Sequence, residues 1–139
     1  MSQYNNARLI RNDNSLSVLT AKATTGFGTG KKVEQFTNLM FELIGAGTVT
    51  ATVKAFVSYQ EVEPVWADPF TISNAYYPVA CLNLDTQGAI IAGSTGISLT
   101  ADGGKHFIVS SQGAKWINFQ VSAISAGNVS AIVNPYNNQ

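Results

Sequence analysis

Charged residues are scarce in this sequence, and their scarcity excludes several functions. Lys and Arg together number 8, Asp and Glu together number 8, and charged residues make up 12% of the chain, about half the usual share. Proteins that bind nucleic acid carry clustered Lys and Arg to neutralise phosphates, whereas the only adjacent basic pair here is Lys31-Lys32. We therefore expect no nucleic-acid partner. A surface with zero net charge also gives little repulsion between copies, which favours association.

Cysteine and histidine are almost absent. Cys81 is the only cysteine, so no intrachain disulfide can form, and its apolar surroundings predict a buried thiol. His106 is the only histidine, too few for a His-based metal site or catalytic triad, and we expect at most a weak polar contact with Asp102. Glu61 and Glu63, two residues apart on an extended segment, share one face and do not flank a substrate. The sequence therefore predicts no enzyme, no metal site and no cofactor.

Long apolar runs are also missing. No segment approaches the roughly 20 apolar residues that a membrane helix needs, and residues 1–14 lack the apolar core of a signal peptide. We therefore expect no membrane segment and no secretory leader, and a protein made in the cytoplasm of its host.

What the sequence does contain is alternation of apolar and polar residues, which is typical of half-buried strands. The octets AGTVTATV from Ala46 and AGNVSAIV from Ala126 are identical at five of eight positions. We interpret the two regions as hairpins, over 34–59 and 115–136, each turning at its glycine. The similarity of the octets is either one hairpin type used twice, as equivalent elements of two facing sheets, or a chance match between simple strands.

The whole chain reads as strands and turns, because no window shows helical periodicity. About nine or ten short strands, separated by Gly, Asn, Asp and Pro, predict a single all-β domain over 1–139. We expect an antiparallel β-sandwich, jelly-roll-like, with polar extended arms at both ends, 1–6 and 134–139.

Residues 60–78 break the alternation with three prolines and several aromatic residues. Because proline removes a ladder donor, this segment predicts a long loop with a short strand at 70–73. Its aromatic side chains have three interpretations: they cap one end of the core, contact a partner protein, or stack on a sugar ring. The aromatic residues concerned are Trp66, Tyr76 and Tyr77.

The string WINFQVSAISAGNVSAIV, from Trp116 to Val133, resembles a pattern common in small β-sandwich structural proteins of tailed bacteriophages. Those domains often read W-I-R-x-x-V-x-x-L-x-G-G-T-V-T-V-x-V near the C-terminus, with an earlier G-T-V-T-x-x-V, as Gly47 to Val53 reads here. This chain departs from the pattern at Asn118, where Arg is usual, and in its Ser-Ala-Gly-Asn turn.

The resemblance implies a virion component of the capsid decoration type, located in the virion. Its partners would be the major capsid protein or other virion proteins, and the chain would form a homo-oligomer, with a trimer favoured. The alternative is a carbohydrate-binding or receptor-binding module of a tail or neck appendage, and only this alternative implies a glycan ligand. The residues we expect to contact partners are those of the arms and the aromatic loop: Tyr4, Asn5, Asn6, Trp66, Tyr76, Tyr77 and Tyr136.

Overall fold

A computed structural model describes residues 15–86, 88–110 and 113–137 of the chain. They form ten strands whose pairings are all antiparallel, so the predicted all-β class is confirmed. This part of the chain contains no helix that could cross a membrane. The strands are β1 Leu16–Lys22, β2 Gly26–Phe27, β3 Lys31–Lys32, β4 Asn38–Ser58, β5 Tyr77–Pro78, β6 Cys81–Asn83, β7 Ala89–Ile91, β8 Ile97–Leu99, β9 Gly103–Ser110 and β10 Trp116–Tyr136.

Two strands of 21 residues, β4 and β10, form the centre of the fold. They pair with each other along their whole length, from Trp116 opposite Ser58 to Tyr136 opposite Asn38. The predicted hairpins over 34–59 and 115–136 are therefore wrong, because neither β4 nor β10 reverses direction at its glycine. Gly, Ser and Asn favour turns, but the same conformational freedom also permits a bulge within a continuing strand.

Bulges in both strands bend the β4–β10 ribbon into a corner. Gly47 and Gly127 have φ of 75° and 77° there, and Thr48 has φ of 59°. The two glycines lie side by side, since a Cβ on Gly47 would be 3.3 Å from the Cα of Gly127, and a Cβ on Gly127 would be 2.7 Å from the Cα of Val49. The similar octets thus form the two sides of one corner. Asp102 closes it by accepting hydrogen bonds from the backbone N–H groups of Thr48 (3.0 Å) and Val49 (2.9 Å).

The corner divides the sheet into two layers. Before it, β4 pairs with β9, and after it with β8 and β5. The matching halves of β10 pair with β1 in the first layer and with β2 and β3 in the second. The layers face each other, because Phe41 of the first and Phe119 of the second have ring centroids 4.7 Å apart. The result is a β-sandwich whose two central strands belong to both layers.

The main core fills the space between the layers and follows the predicted alternation. Phe41 and Phe107 stack with ring centroids 5.2 Å apart. Cys81 lies in this core as predicted, and its burial raises the pKa of the thiol to about 12. The largest fully buried side chains belong to Phe41, Phe107, Phe119, Leu19, Leu39, Leu43, Leu99, Ile117, Val33, Val49, Val53 and Val57.

Three local predictions need correction. Residues 134–136 are the end of β10 rather than an extended tail, and Tyr136 is half-buried opposite Asn38. The expected strand at 70–73 is absent, because Thr71 and Asn74 close a tight turn there. Asp102, the expected partner of His106, instead accepts hydrogen bonds from the backbone of Thr48 and Val49 at the corner. The predicted N-terminal arm lies outside the described residues, with Tyr4, Asn5 and Asn6.

His106 contacts carboxylates other than the expected one. Its Nε2 lies 3.2 Å from Glu42 and its Nδ1 lies 3.2 Å from Asp85. Asp85 also accepts a hydrogen bond from the backbone N–H of His106 (2.9 Å), which lowers the pKa of the carboxyl group. These groups are partly exposed on the first layer and link the turn after β6 to β9.

Candidate functional site

The segment between β4 and β5 folds back over the outer face of the second layer. Phe56 points to this outer face, yet it is only 9% exposed. It is covered by Phe27, with ring centroids 5.1 Å apart, and by Tyr76 at 5.7 Å. Trp66 completes the group at 5.7 Å from Phe27 and 5.4 Å from Tyr76. These four residues, Phe27, Phe56, Trp66 and Tyr76, form a second apolar group that we call the aromatic cluster.

Polar side chains hold this segment in shape by bonding to its backbone. Asn74 accepts from the N–H of Val65 (2.7 Å) and donates to the carbonyl oxygens of Val65 (3.0 Å) and Pro69 (3.3 Å). Gln60 donates to the carbonyl of Val62 (2.8 Å) and accepts from the N–H of Ala75 (2.9 Å). Two amide side chains therefore replace a strand ladder in a segment that proline prevents from forming one.

The polar atoms of the aromatic cluster are also bonded within the segment. The indole N–H of Trp66 donates to Glu63 at 2.9 Å, and the hydroxyl of Tyr76 donates to the carbonyl oxygen of Asp68 at 2.6 Å. Both rings are thereby fixed in position, with their hydrogen-bonding ends used inside the loop.

The structure separates the three predicted loop residues. Trp66 and Tyr76 come together in the aromatic cluster, where Trp66 is 8% exposed and Tyr76 is half-buried. Tyr77 lies in β5 and is 44% exposed, beside Phe70 at 5.4 Å and Tyr59 at 6.4 Å between ring centroids. Trp66 therefore shapes the loop, while Tyr77 presents its ring at the surface.

Sequence reasoning missed Phe27 and Phe56, which complete the cluster. Phe56 stands at an outward position of β4, where a large apolar residue breaks the alternation, and this was the available signal. Phe27 lies in the glycine-rich segment before β3, and nothing local indicates that it meets a loop forty residues away in this chain.

An open cleft of about 820 Å³ lies between the glycine-rich segment, residues 26–30, and the loop residues 63–69. The glycines allow the two walls to approach, because a Cβ on Gly30 would be 2.6 Å from Nε1 of Trp66. Asn118, fully buried in β10, fixes the glycine wall by donating to the carbonyl oxygen of Gly28 at 3.0 Å. The departure from the phage-like pattern at Asn118 therefore has a structural role here.

The cleft offers hydrogen-bonding and apolar groups to a ligand. Its polar side chains are those of Glu63, Asp68, Thr29 and Gln120, and its apolar surface includes the aromatic rings. Among the residues that the structure describes, no group of His, Cys, Asp and Glu is placed to hold a metal ion. Recognition here would rest on shape, aromatic contact and acceptor oxygens.

An ion pair ties the start of the loop to the end of the sandwich. Lys115 donates a hydrogen bond to Glu61, and this contact lowers the pKa of the Glu61 carboxyl group. Trp116 donates from its indole N–H to the carbonyl oxygen of Gln60 at 3.2 Å. The first residues of the loop are thus anchored to Lys115 and to the start of β10, in addition to the contacts of the aromatic cluster.

The same fold occurs in two solved structures of prophage proteins. The SPBc2 prophage-derived protein YomS superposes with a TM-score of 0.63 at 12% identity, over 87% of this chain and 90% of YomS. The PBSX exported protein XepA superposes with a TM-score of 0.64 at 14% identity, over 87% of this chain and 36% of XepA. The chain therefore spans little more than a third of XepA. No known protein family matches the sequence, and no curated protein is similar to it in sequence.

Proposed function

We propose that this chain is a non-enzymatic structural protein of a bacteriophage particle, and specifically a decoration protein bound to the head. The observation that carries the bacteriophage assignment is the fold shared with YomS, a prophage-derived protein, over 87% of this chain and 90% of YomS, while the head-decoration role rests on the sequence resemblance. The resemblance of residues 116–133 to structural proteins of tailed phages supports it from the sequence.

The surface chemistry agrees with a subunit that attaches to a larger assembly. The chain has zero net charge, and the segment from Tyr59 to Tyr77 exposes large apolar side chains on a backbone held by its own hydrogen bonds. Such a surface is stabilised when a partner covers it. The partner we propose is the major capsid protein, and a protein that binds only the assembled lattice stabilises that lattice by mass action.

The experiment is to purify phage particles on a density gradient and to count copies of this protein by quantitative mass spectrometry. We expect many copies per particle, and antibody-gold labelling on the head rather than the tail. Labelling of the tail or neck would contradict the decoration role but retain the virion role. Absence from gradient-purified particles would contradict both.

The open cleft favours a second candidate, a carbohydrate-binding or receptor-binding module of a tail or neck appendage. Sugars are bound by aromatic faces and acceptor oxygens, and the cleft contains Tyr76 together with Glu63 and Asp68. A glycan array probed with the native protein tests it, with the Asp68→Ala variant as the comparison. A signal that Asp68→Ala abolishes would support the module, and no signal above background would remove it.

A further inference from the structure

The segment between Tyr59 and Tyr77 is unusual because it exposes apolar side chains where turns usually expose polar ones. Ile72 is 98% exposed, at a central position of the turn that Thr71 and Asn74 close. Within the described part of the chain, the large apolar residues exposed in this segment are Tyr59, Val62, Val65, Phe70, Ile72 and Tyr77.

The turn that carries Ile72 is rigidly built. Two backbone hydrogen bonds close it, from Thr71 N–H to Asn74 at 3.2 Å and from Asn74 N–H to Thr71 at 3.1 Å. The side chain of Asn74 then bonds the turn to Val65 and Pro69. We call residues 70–74 the Ile72 turn. A segment whose backbone is already fixed by hydrogen bonds loses little conformational entropy on association, so its apolar contacts translate efficiently into affinity.

Phe70 and Tyr77 widen this apolar surface. Their rings meet edge to face with centroids 5.4 Å apart, and both are about half exposed. A fully exposed aliphatic side chain in the same loop as two partly exposed rings fits an anchor that enters a pocket, with neighbouring residues that exclude water.

The charges around the turn indicate what kind of surface it meets. Between Ala55 and Gly104 the sequence has no Lys or Arg. Lys115 pairs with Glu61 from outside this stretch, so Glu63 and Asp68 leave the loop with a net negative charge. A negatively charged loop is repelled by anionic lipid headgroups and is attracted to a surface that carries Lys or Arg. The charge therefore favours a protein with a basic rim over a membrane.

We propose that the Ile72 turn inserts into an apolar socket, rimmed by Lys or Arg, on the virion protein to which this chain attaches. The inference rests on the proposed function, because it names the contact through which attachment occurs. Ile72 fills the socket, Phe70 and Tyr77 seal its edge, and Asp68 faces the basic rim.

The test uses phage particles that lack this protein, to which the purified protein is added and co-sedimented. Ile72→Ser is compared with Ile90→Ser, a matched control because Ile90 is 75% exposed on β7 and outside the loop. Neither change disturbs buried contacts, so both variants keep the native circular dichroism. We expect Ile72→Ser to weaken binding at least about 30-fold, the level of an interface hot spot, and Ile90→Ser to bind as the native protein does.

A photo-crosslinker placed at position 72 identifies the partner on the same particles. We expect one crosslinked virion protein, with Lys or Arg flanking the crosslinked site. In a separate titration, the binding affinity of the native protein should fall as the salt concentration rises, and that of Asp68→Asn should fall less.

The outcomes separate the two proposals. If the Ile72→Ser variant binds particles as well as the native protein does, the Ile72 inference is wrong and the proposed virion function stands. Native protein that does not bind particles overturns the proposed function and this inference together. If the native protein binds vesicles of phosphatidylcholine and phosphatidylglycerol and Ile72→Ser does not, the turn binds a membrane and the proposed protein socket is wrong.

Discussion

The main core and the aromatic cluster are both built from packed rings, yet different features of the sequence produce them. In the main core, Phe41, Phe107 and Phe119 occupy alternate positions of long strands, and the strand period alone directs them inward. In the aromatic cluster, Phe27 comes from the two-residue strand β2 and Trp66 from the irregular loop before β5, and both segments are held in place by single polar side chains that bond to backbone. The first kind of packing follows from a repeated pattern, and the second depends on individual residues.

This difference predicts that the two groups respond differently to the loss of one ring. In the main core we expect Phe119→Ala to lower the free energy of unfolding by about 3–5 kcal/mol, because it leaves a cavity between two layers that cannot close around it. Chemical denaturation followed by fluorescence measures the change, with the single transition retained. A loss below about 1 kcal/mol would show that the layers can move together to fill the space.

Removing one ring from the aromatic cluster should lower the free energy of unfolding by less than removing one from the main core. We expect Trp66→Ala to lower the free energy of unfolding by about 2 kcal/mol or less, because the loop can open locally while the main core stays folded. Hydrogen exchange detects the opening, with faster exchange at the amides of Val65, Asn74 and Ala75 and unchanged exchange along β4. Equal acceleration in β4 would mean that the two groups unfold as one unit.

The smallest effect concerns Asp102, which closes the corner with its carboxylate. The hydrogen bonds from Val49 and Thr48 lower the pKa of this group, so its contribution to stability is present above the ordinary Asp pKa of about 3.9 and disappears as pH falls through the folded-state value. Asp102→Asn should therefore be less stable than the native protein at pH 7. The gap between their free energies of unfolding should narrow below about pH 3.9. A gap that stays constant down to pH 2.5 would contradict this origin.

The alternation of the sequence was enough to predict the all-β class and the main core. Leu39, Phe41 and Leu43, and likewise Ile117 and Phe119, point inward as the period of two requires. The hairpins were wrong because local sequence does not distinguish a glycine that reverses the chain from one that bends it. That choice depends on the partner strand, since the bulge exists only where Gly47 and Gly127 meet across the ladder.

The candidate site was predicted only in outline. The aromatic residues between Tyr59 and Tyr77 were noticed, but their division into a buried pair and an exposed set was not predictable. It depends on Phe56 and Phe27, which pack against Trp66 and Tyr76, whereas Ile72 stays 98% exposed. The role of Asn74 was hidden for the same reason, because its three hydrogen bonds exist only once the loop has closed.

The pairing of β4 with β10 also determines when the sandwich can fold relative to the synthesis of the chain. The two strands come from opposite halves of the sequence, and contacts between distant segments form slowly because the intervening chain must first be closed into a loop. During synthesis β4 leaves the ribosome long before β10, and until then one edge of a 21-residue strand has no partner. The sandwich therefore cannot be completed until β10 has been made and released, and until then the unpaired edge of β4 is open to pairing with another chain.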